Sequence, residues 1–282
     1  MIYRLLIFSF LVFVTNSLFS QTGCKNLSSI FDSKKDSVIK AQKILSEFIK
    51  TYDFKPNLKD YDMANGRDKS LKNFNKDGLI IEINMYFMNT IKTHKYTYNQ
   101  SNKLTEIEIQ SPKGILFEKT QFFYSDLNVI LKALHFIEGG ENDKVITYTQ
   151  NSDECIENHK DLSGNMKNYE KWIINKEKGI EEHIYLNTKD LIYKREYIEY
   201  NSSGNPVKRI FENKSFGQIN VSEYDYNADG QVAIELTKDK LGTLKKQQKY
   251  IYNESGLLIE TQLMNGEGKP ISKDVYTYEF YK

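Results

Sequence analysis

Apolar and polar side chains alternate along most of this chain, inside a repeating frame. Take Tyr98, Tyr124, Tyr148, Ile174, Tyr200, Tyr226, Tyr252 and Tyr278 as reference positions. The intervals are 26, 24, 26, 26, 26, 26 and 26 residues, and Phe74 extends the series backward by 24. Two residues before each of the eight lies another apolar residue: Tyr96, Phe122, Ile146, Trp172, Ile198, Tyr224, Tyr250 and Tyr276. Four residues after Phe74 and its successors come Gly78, Asn102, Asn128, Ser152, Lys178, Gly204, Gly230 and Gly256. Six of these eight are Gly or Asn, the residues that tolerate positive φ. A second mark falls sixteen residues after the reference, at Gly114, Gly140, Gly164, Asp190, Gly242 and Gly268, with Gly217 one residue late.

Such a period is the mark of a repeat architecture. Between the turns lie stretches of about eight residues, ordinary strand length. In 104–109, Thr105, Ile107 and Ile109 oppose Leu104, Glu106 and Glu108. Period two with short turns means antiparallel hairpins. The expected fold is mainly β: a hairpin meander of ~26-residue repeats with about sixteen strands, fronted by one amphipathic helix. Val38, Ala41, Leu45, Phe48 and Tyr52 recur at three- and four-residue steps, which predicts that helix over Asp36–Tyr52. The domain division is then 1–20 leader, 21–71 helix and linker, and 72–282 repeat domain.

Arg4, the apolar run from Leu5 to Val14, the polar break at 15–17 and the small Ser20 have the layout of a secretory signal peptide. The run is too short for an unbroken membrane span, which needs ~20 apolar residues. No transmembrane span is expected after leader removal. The protein should be exported: periplasmic, surface-bound or secreted. A lipid anchor at Cys24 is the less favoured variant, because Gln21 stands where lipoprotein leaders usually carry Leu. The only other cysteine is Cys155. A Cys24–Cys155 disulfide is allowed in an oxidising compartment, and so is an unpaired buried thiol.

Charge excludes one class of partner. The 39 Lys+Arg against 38 Asp+Glu leave a net charge of +1, too balanced for bulk binding to nucleic acid. Aromatics at 13% are too many for a disordered chain.

Tyr-Asp-Tyr-Asn-Ala-Asp-Gly-Gln at 224–231 resembles the core of YD repeats of bacterial Rhs-type proteins. The segments 250–257 and 200–204 look like the same unit, and the likeness covers about residues 72–282. The resemblance implies sheets or shells that do not themselves catalyse.

Tyr224, Tyr226, Tyr250, Tyr252, Tyr276 and Tyr278 should share one sheet face, as core or as a stacking platform for sugars or extended peptides. Core is the favoured role, since a repeat sheet needs a buried face. Asp225, Asn227, Asp229 and Gly230 open like a calcium loop. Position twelve is Leu236, however, and the equivalent turns at 201–204 and 253–256 lack the acids, so a hairpin turn is expected. His94, His135, His159 and His183 are the only histidines. His135 and His159 share a phase two strands apart, so solvated side chains are expected rather than zinc ligands. No nucleophile, P-loop, Rossmann or metalloprotease motif is present. The expectation is therefore no catalytic, cofactor-binding or metal-ligating residue.

These observations together favour an exported non-enzymatic repeat protein, a binding or structural module of the cell envelope or surface whose partner is a protein or glycan. The alternatives are a carbohydrate-active enzyme using carboxylates on a sheet face, and an outer-membrane β-barrel. Sixteen short strands and an aromatic C-terminal strand suit a barrel; Arg209, Lys132 and several Glu in mid-strand do not.

Overall fold

The computed structural model describes residues 42–282, apart from 58–59, 88–89, 127–128, 139–141 and 152. The proposed leader, Cys24, and the turn residues Asn128, Gly140 and Ser152 lie outside the described residues.

The turns behave as their composition demands. Asn253 Oδ1 accepts the backbone N–H groups of Ser255 at 3.0 Å and Leu257 at 2.9 Å. The Gly256 N–H closes on the Asn253 carbonyl at 2.9 Å, and Asn253 N–H on the Leu257 carbonyl at 2.9 Å. Asn75, Asn99, Asn201 and Asn227 repeat this arrangement. It is a tight hairpin turn whose Asn side chain replaces missing backbone partners, ending in a left-handed residue. Gly230 and Gly256 take φ of 73° and 77° there. Val at either position is expected to cost about 1–2 kcal/mol. Val at the exposed Ser202 should stay within ~0.5 kcal/mol. Thermal melts of the three variants check the difference.

The strands joined by these turns are β1 (Ile44–Lys55), β2 (Asp60–Tyr61), β3 (Arg67–Phe74), β4 (Ile80–Phe87), β5 (Thr90–Tyr98), β6 (Leu104–Gln110), β7 (Leu116–Tyr124), β8 (Ile130–Ile137), β9 (Asn142–Gln150) and β10 (Glu154–Lys160). They continue as β11 (Met166–Asn175), β12 (Ile180–Asn187), β13 (Ile192–Tyr200), β14 (Pro206–Asn213), β15 (Gln218–Tyr226), β16 (Val232–Asp239), β17 (Leu244–Tyr252), β18 (Leu258–Asn265) and β19 (Pro270–Phe280). From β3 to β19 each strand pairs antiparallel with its chain neighbours, as the short connections require.

Two expectations are corrected at the N-terminal end. Of the helix expected over Asp36–Tyr52, residues 36–41 lie outside the described residues, and 44–52 is strand β1. β1 pairs with β19 on one side and β3 on the other. It therefore fills two rows of backbone donors and acceptors that an open sheet would leave unpaired, and this outweighs helical periodicity. β3 likewise begins inside the stretch read as linker. The meander is thus a ring: β2 pairs only with β1, and the other 18 strands close as a barrel. No α-helix occurs among the described residues.

A further regularity explains the reference tyrosines. At Tyr98, Tyr124, Tyr200, Tyr226 and Tyr252 the ladder slips by one residue: Thr97 faces Glu106 while Tyr98 faces Leu104, and Ile251 faces Glu260 while Tyr252 faces Leu258. A bulge leaves a backbone group without its ladder partner. The next unit's tyrosine supplies one. Tyr124 Oη donates to the Leu104 carbonyl at 2.7 Å, Tyr252 to Val232 at 3.0 Å and Tyr278 to Leu258 at 2.7 Å. Tyr226 makes the same bond to the Pro206 carbonyl. Each hydroxyl thus ties one unit to the preceding one. Tyr252→Phe should cost about 1–3 kcal/mol, because the Val232 carbonyl stays buried without a donor. Equilibrium urea unfolding checks this.

The core lies on the inner face. Ile83, Tyr96, Leu104, Phe122, Ile130, Ala133 and Ile146 form one buried row across β4–β9. Cys155, Trp172 and Ile174 continue it. Ile44, Phe74 and Leu257 pack beside the seam where β1 closes the ring.

Candidate functional site: the polar half of the inner wall

Beyond β9 the inner face changes character. The same period-two logic that points Trp172 inward also turns Glu170, Glu181, His183, Tyr185, Glu196, Arg209, Tyr224, Glu235, Tyr250, Asp274 and Tyr276 inward. Glu181, His183, Glu235 and Asp274 are all less than a tenth exposed. Burying charge is costly unless it is paired, and the wall pairs its charges across strands. Glu196 on β13 binds Arg209 on β14. Burial would raise the Glu196 carboxyl, but the Arg209 guanidinium prevails and holds it below its usual range. Glu235 accepts the Tyr250 hydroxyl at 3.0 Å, yet burial dominates and pushes its carboxyl up. At the seam, Asp274 accepts from Thr51 at 2.7 Å and pairs with Lys69, while Glu47 pairs with Lys72.

The six tyrosines expected to share a face do so, on the inside. All six are half-buried, and their neighbours already engage the hydroxyls of Tyr226, Tyr250, Tyr252 and Tyr278. Arg209, whose mid-strand charge counted against a barrel, faces the interior. Lys132 faces out, over the Phe123 ring at 4.9 Å.

Three of the histidines are packed against acids rather than solvated. His183 is buried, stacked on Trp172 with ring centroids 3.8 Å apart, and its Nε2 lies 2.8 Å from Glu170 Oε2. His135 lies beside Asp143 and Glu118. His159 lies beside Glu157 and Glu170. Spacing along the chain missed this last grouping because Glu170 comes from the neighbouring strand. Its only sequence signal was acids near a histidine. Cys155 is fully buried and disulfide-bonded.

The outer face is also charged, but differently. Lys119 reaches Glu106 at 2.7 Å and Glu108 at 3.3 Å, Lys238 reaches Glu223 at 2.6 Å, and Lys273 reaches Glu260 at 3.3 Å. Lys171–Glu154 and Arg195–Glu182 are equivalent pairs. No helix among the described residues is long and apolar enough to cross a membrane.

No family model matches the chain, and no curated protein matches it. Among solved structures it is similar to a porin-like protein from Bacteroides uniformis, at 14% identity and a TM-score of 0.40, covering 84% of this chain and 97% of that one. A porin-like protein from Bacteroides vulgatus gives 12% identity and a TM-score of 0.31, covering 82% and 97%. The Photorhabdus luminescens Tc holotoxin pore gives 9% and 0.18, covering 72% of this chain and 15% of that one. These likenesses are too distant to carry the architecture, which rests on the strand pairing itself. That pairing corrects the reading of the chain as a binding or structural module: both sheet edges are consumed in a closed 18-strand barrel, the form of the barrel alternative.

Proposed function

We propose that the chain is an exported β-barrel of the cell envelope that acts through its enclosed interior on small hydrophilic solutes. The observation that carries this reading is closure around a polar inner wall. Closed barrels of 16–18 strands have room for an interior space, and beyond the packed row on β4–β9 Glu, Arg, His and Tyr side chains line half of this one.

Closure alone suits a bilayer, because a closed sheet satisfies its backbone groups without water. The outer wall favours a second placement, in the aqueous phase of the envelope. Lys119, Lys171 and Arg195 sit in mid-strand on the outside, and each would cost about 2–4 kcal/mol at a bilayer midplane. Cross-strand partners offset only part of that sum.

Two measurements test the reading. Washing envelopes without detergent should release the protein if the wall faces water and retain it if the wall faces lipid. Radiolabelled oligosaccharide should enter the interior of the released barrel, or liposomes carrying the retained one. A bulky thiol reagent on Gln248→Cys, on the face that Tyr250 shares, should abolish entry. Entry indifferent to that block, or no entry at all, would overturn a function seated in the interior.

A further inference from the structure

We propose that Glu157, His159 and Glu170 form a divalent transition-metal site of the zinc class on the inner wall. Glu157 and Glu170 stand directly opposite each other in the β10–β11 register. Like charges so placed repel and destabilise a strand pair unless something neutralises them. His159 reaches into the gap. Its Nε2 lies 3.1 Å from Glu157 Oε1 and 3.7 Å from Glu170 Oε1. That nitrogen is closed off from solvent and makes no directed hydrogen bond among the described residues. A buried polar atom in that state is rare and calls for an explanation.

One imidazole nitrogen and two carboxylate oxygens are ligand types that zinc takes. The three atoms all lie within 4.8 Å of one another. Ligands bound at ~2.0–2.1 Å in a tetrahedron are about 3.3 Å apart, and the two contacts at His159 bracket that spacing.

The surroundings are arranged to hold the ligands still. The second oxygen of Glu170 lies 2.8 Å from His183 Nε2. His183 in turn is clamped between Trp172 at 3.8 Å and Tyr185 at 4.1 Å. An outer partner of this kind orients a ligating carboxylate, and its loss typically weakens metal binding 10–100-fold. Three protein ligands leave a fourth position for water or a solute donor. The site does not depend on solute passage through the interior, so either proposal can fail alone.

The test uses the mature chain, stripped by chelator and dialysed against zinc chloride, with bound metal counted by mass spectrometry. One zinc per chain should be retained, and cobalt(II) should give the visible absorption of a four-coordinate site. His159→Ala and, separately, Glu157→Gln should lose both signals. His183→Gln should weaken zinc binding 10–100-fold, and Glu106→Gln on the outer wall should change nothing. Circular dichroism confirms that each variant is folded; if His159→Ala is not, Glu157→Gln decides. No retained metal, or full retention in a folded His159→Ala or Glu157→Gln variant, would overturn the site.

Discussion

Replacing Lys72 with Met is expected to lower stability by about 3–5 kcal/mol, the cost of leaving a buried charge without its partner. Lys72 on β3 pairs with Glu47 on β1, and their side chains are only 7% and 2% exposed. Glu47 also faces β19, where the Tyr278 hydroxyl lies 3.4 Å from its Oε2. One carboxylate thus touches both strands that β1 joins. Without the ammonium it remains sealed in the seam. The double variant Glu47→Leu with Lys72→Met should recover most of the loss, because well-packed apolar replacements of a buried ion pair are often neutral. Denaturant unfolding measures both. Hydrogen exchange should show the single variant losing protection first in β1, β3 and β19. Uniform loss around the ring, or equal damage in the single and double variants, would mean that the pair does not hold the seam.

Trp172→Ala is the second large effect, again about 3–5 kcal/mol. The Trp172 side chain is 4% exposed and packs on Cys155 and Ile174. It also forms the stacking floor beneath His183. Truncation would leave a void and release His183, so the cost combines lost burial with a loosened His183–Glu170 contact. Trp172→Phe keeps a ring in place and should lose much less. Urea unfolding gives the energies. The imidazole resonances of His183 give the second readout, which should broaden or shift in the alanine variant and stay near native in the phenylalanine one. An alanine variant with native stability would place Trp172 outside the core.

These two sites differ in how visible they are in the chain. Trp172 falls on a reference-minus-two position, so its inward direction follows from the repeat. The Glu47–Lys72 pair had no such mark, because Glu47 lay in a segment whose Leu45, Phe48 and Tyr52 follow a helical step. The Glu157–His159–Glu170 cluster was half visible. Glu157 and His159 are two apart on one strand and must share a face, but Glu170 joins them only through the β10–β11 register.

The sequence by itself determined the turns, the strand direction and the common face of the tyrosines. These are local matters: positive φ selects Gly or Asn within four residues, and a strand alternates its faces whatever lies around it. Tertiary structure decided the rest. Leu104 reads as sharing the face of Glu106, yet the bulge at Thr105 turns Leu104 inward to 1% exposure beside Ile107. Closure stood in the sequence only as one of the alternatives. The periodicity of 44–52 allows helix or strand, and the choice falls to the free hydrogen-bonding edges of β3 and β19, two strands far apart in the chain that only the assembled barrel brings to either side of one segment.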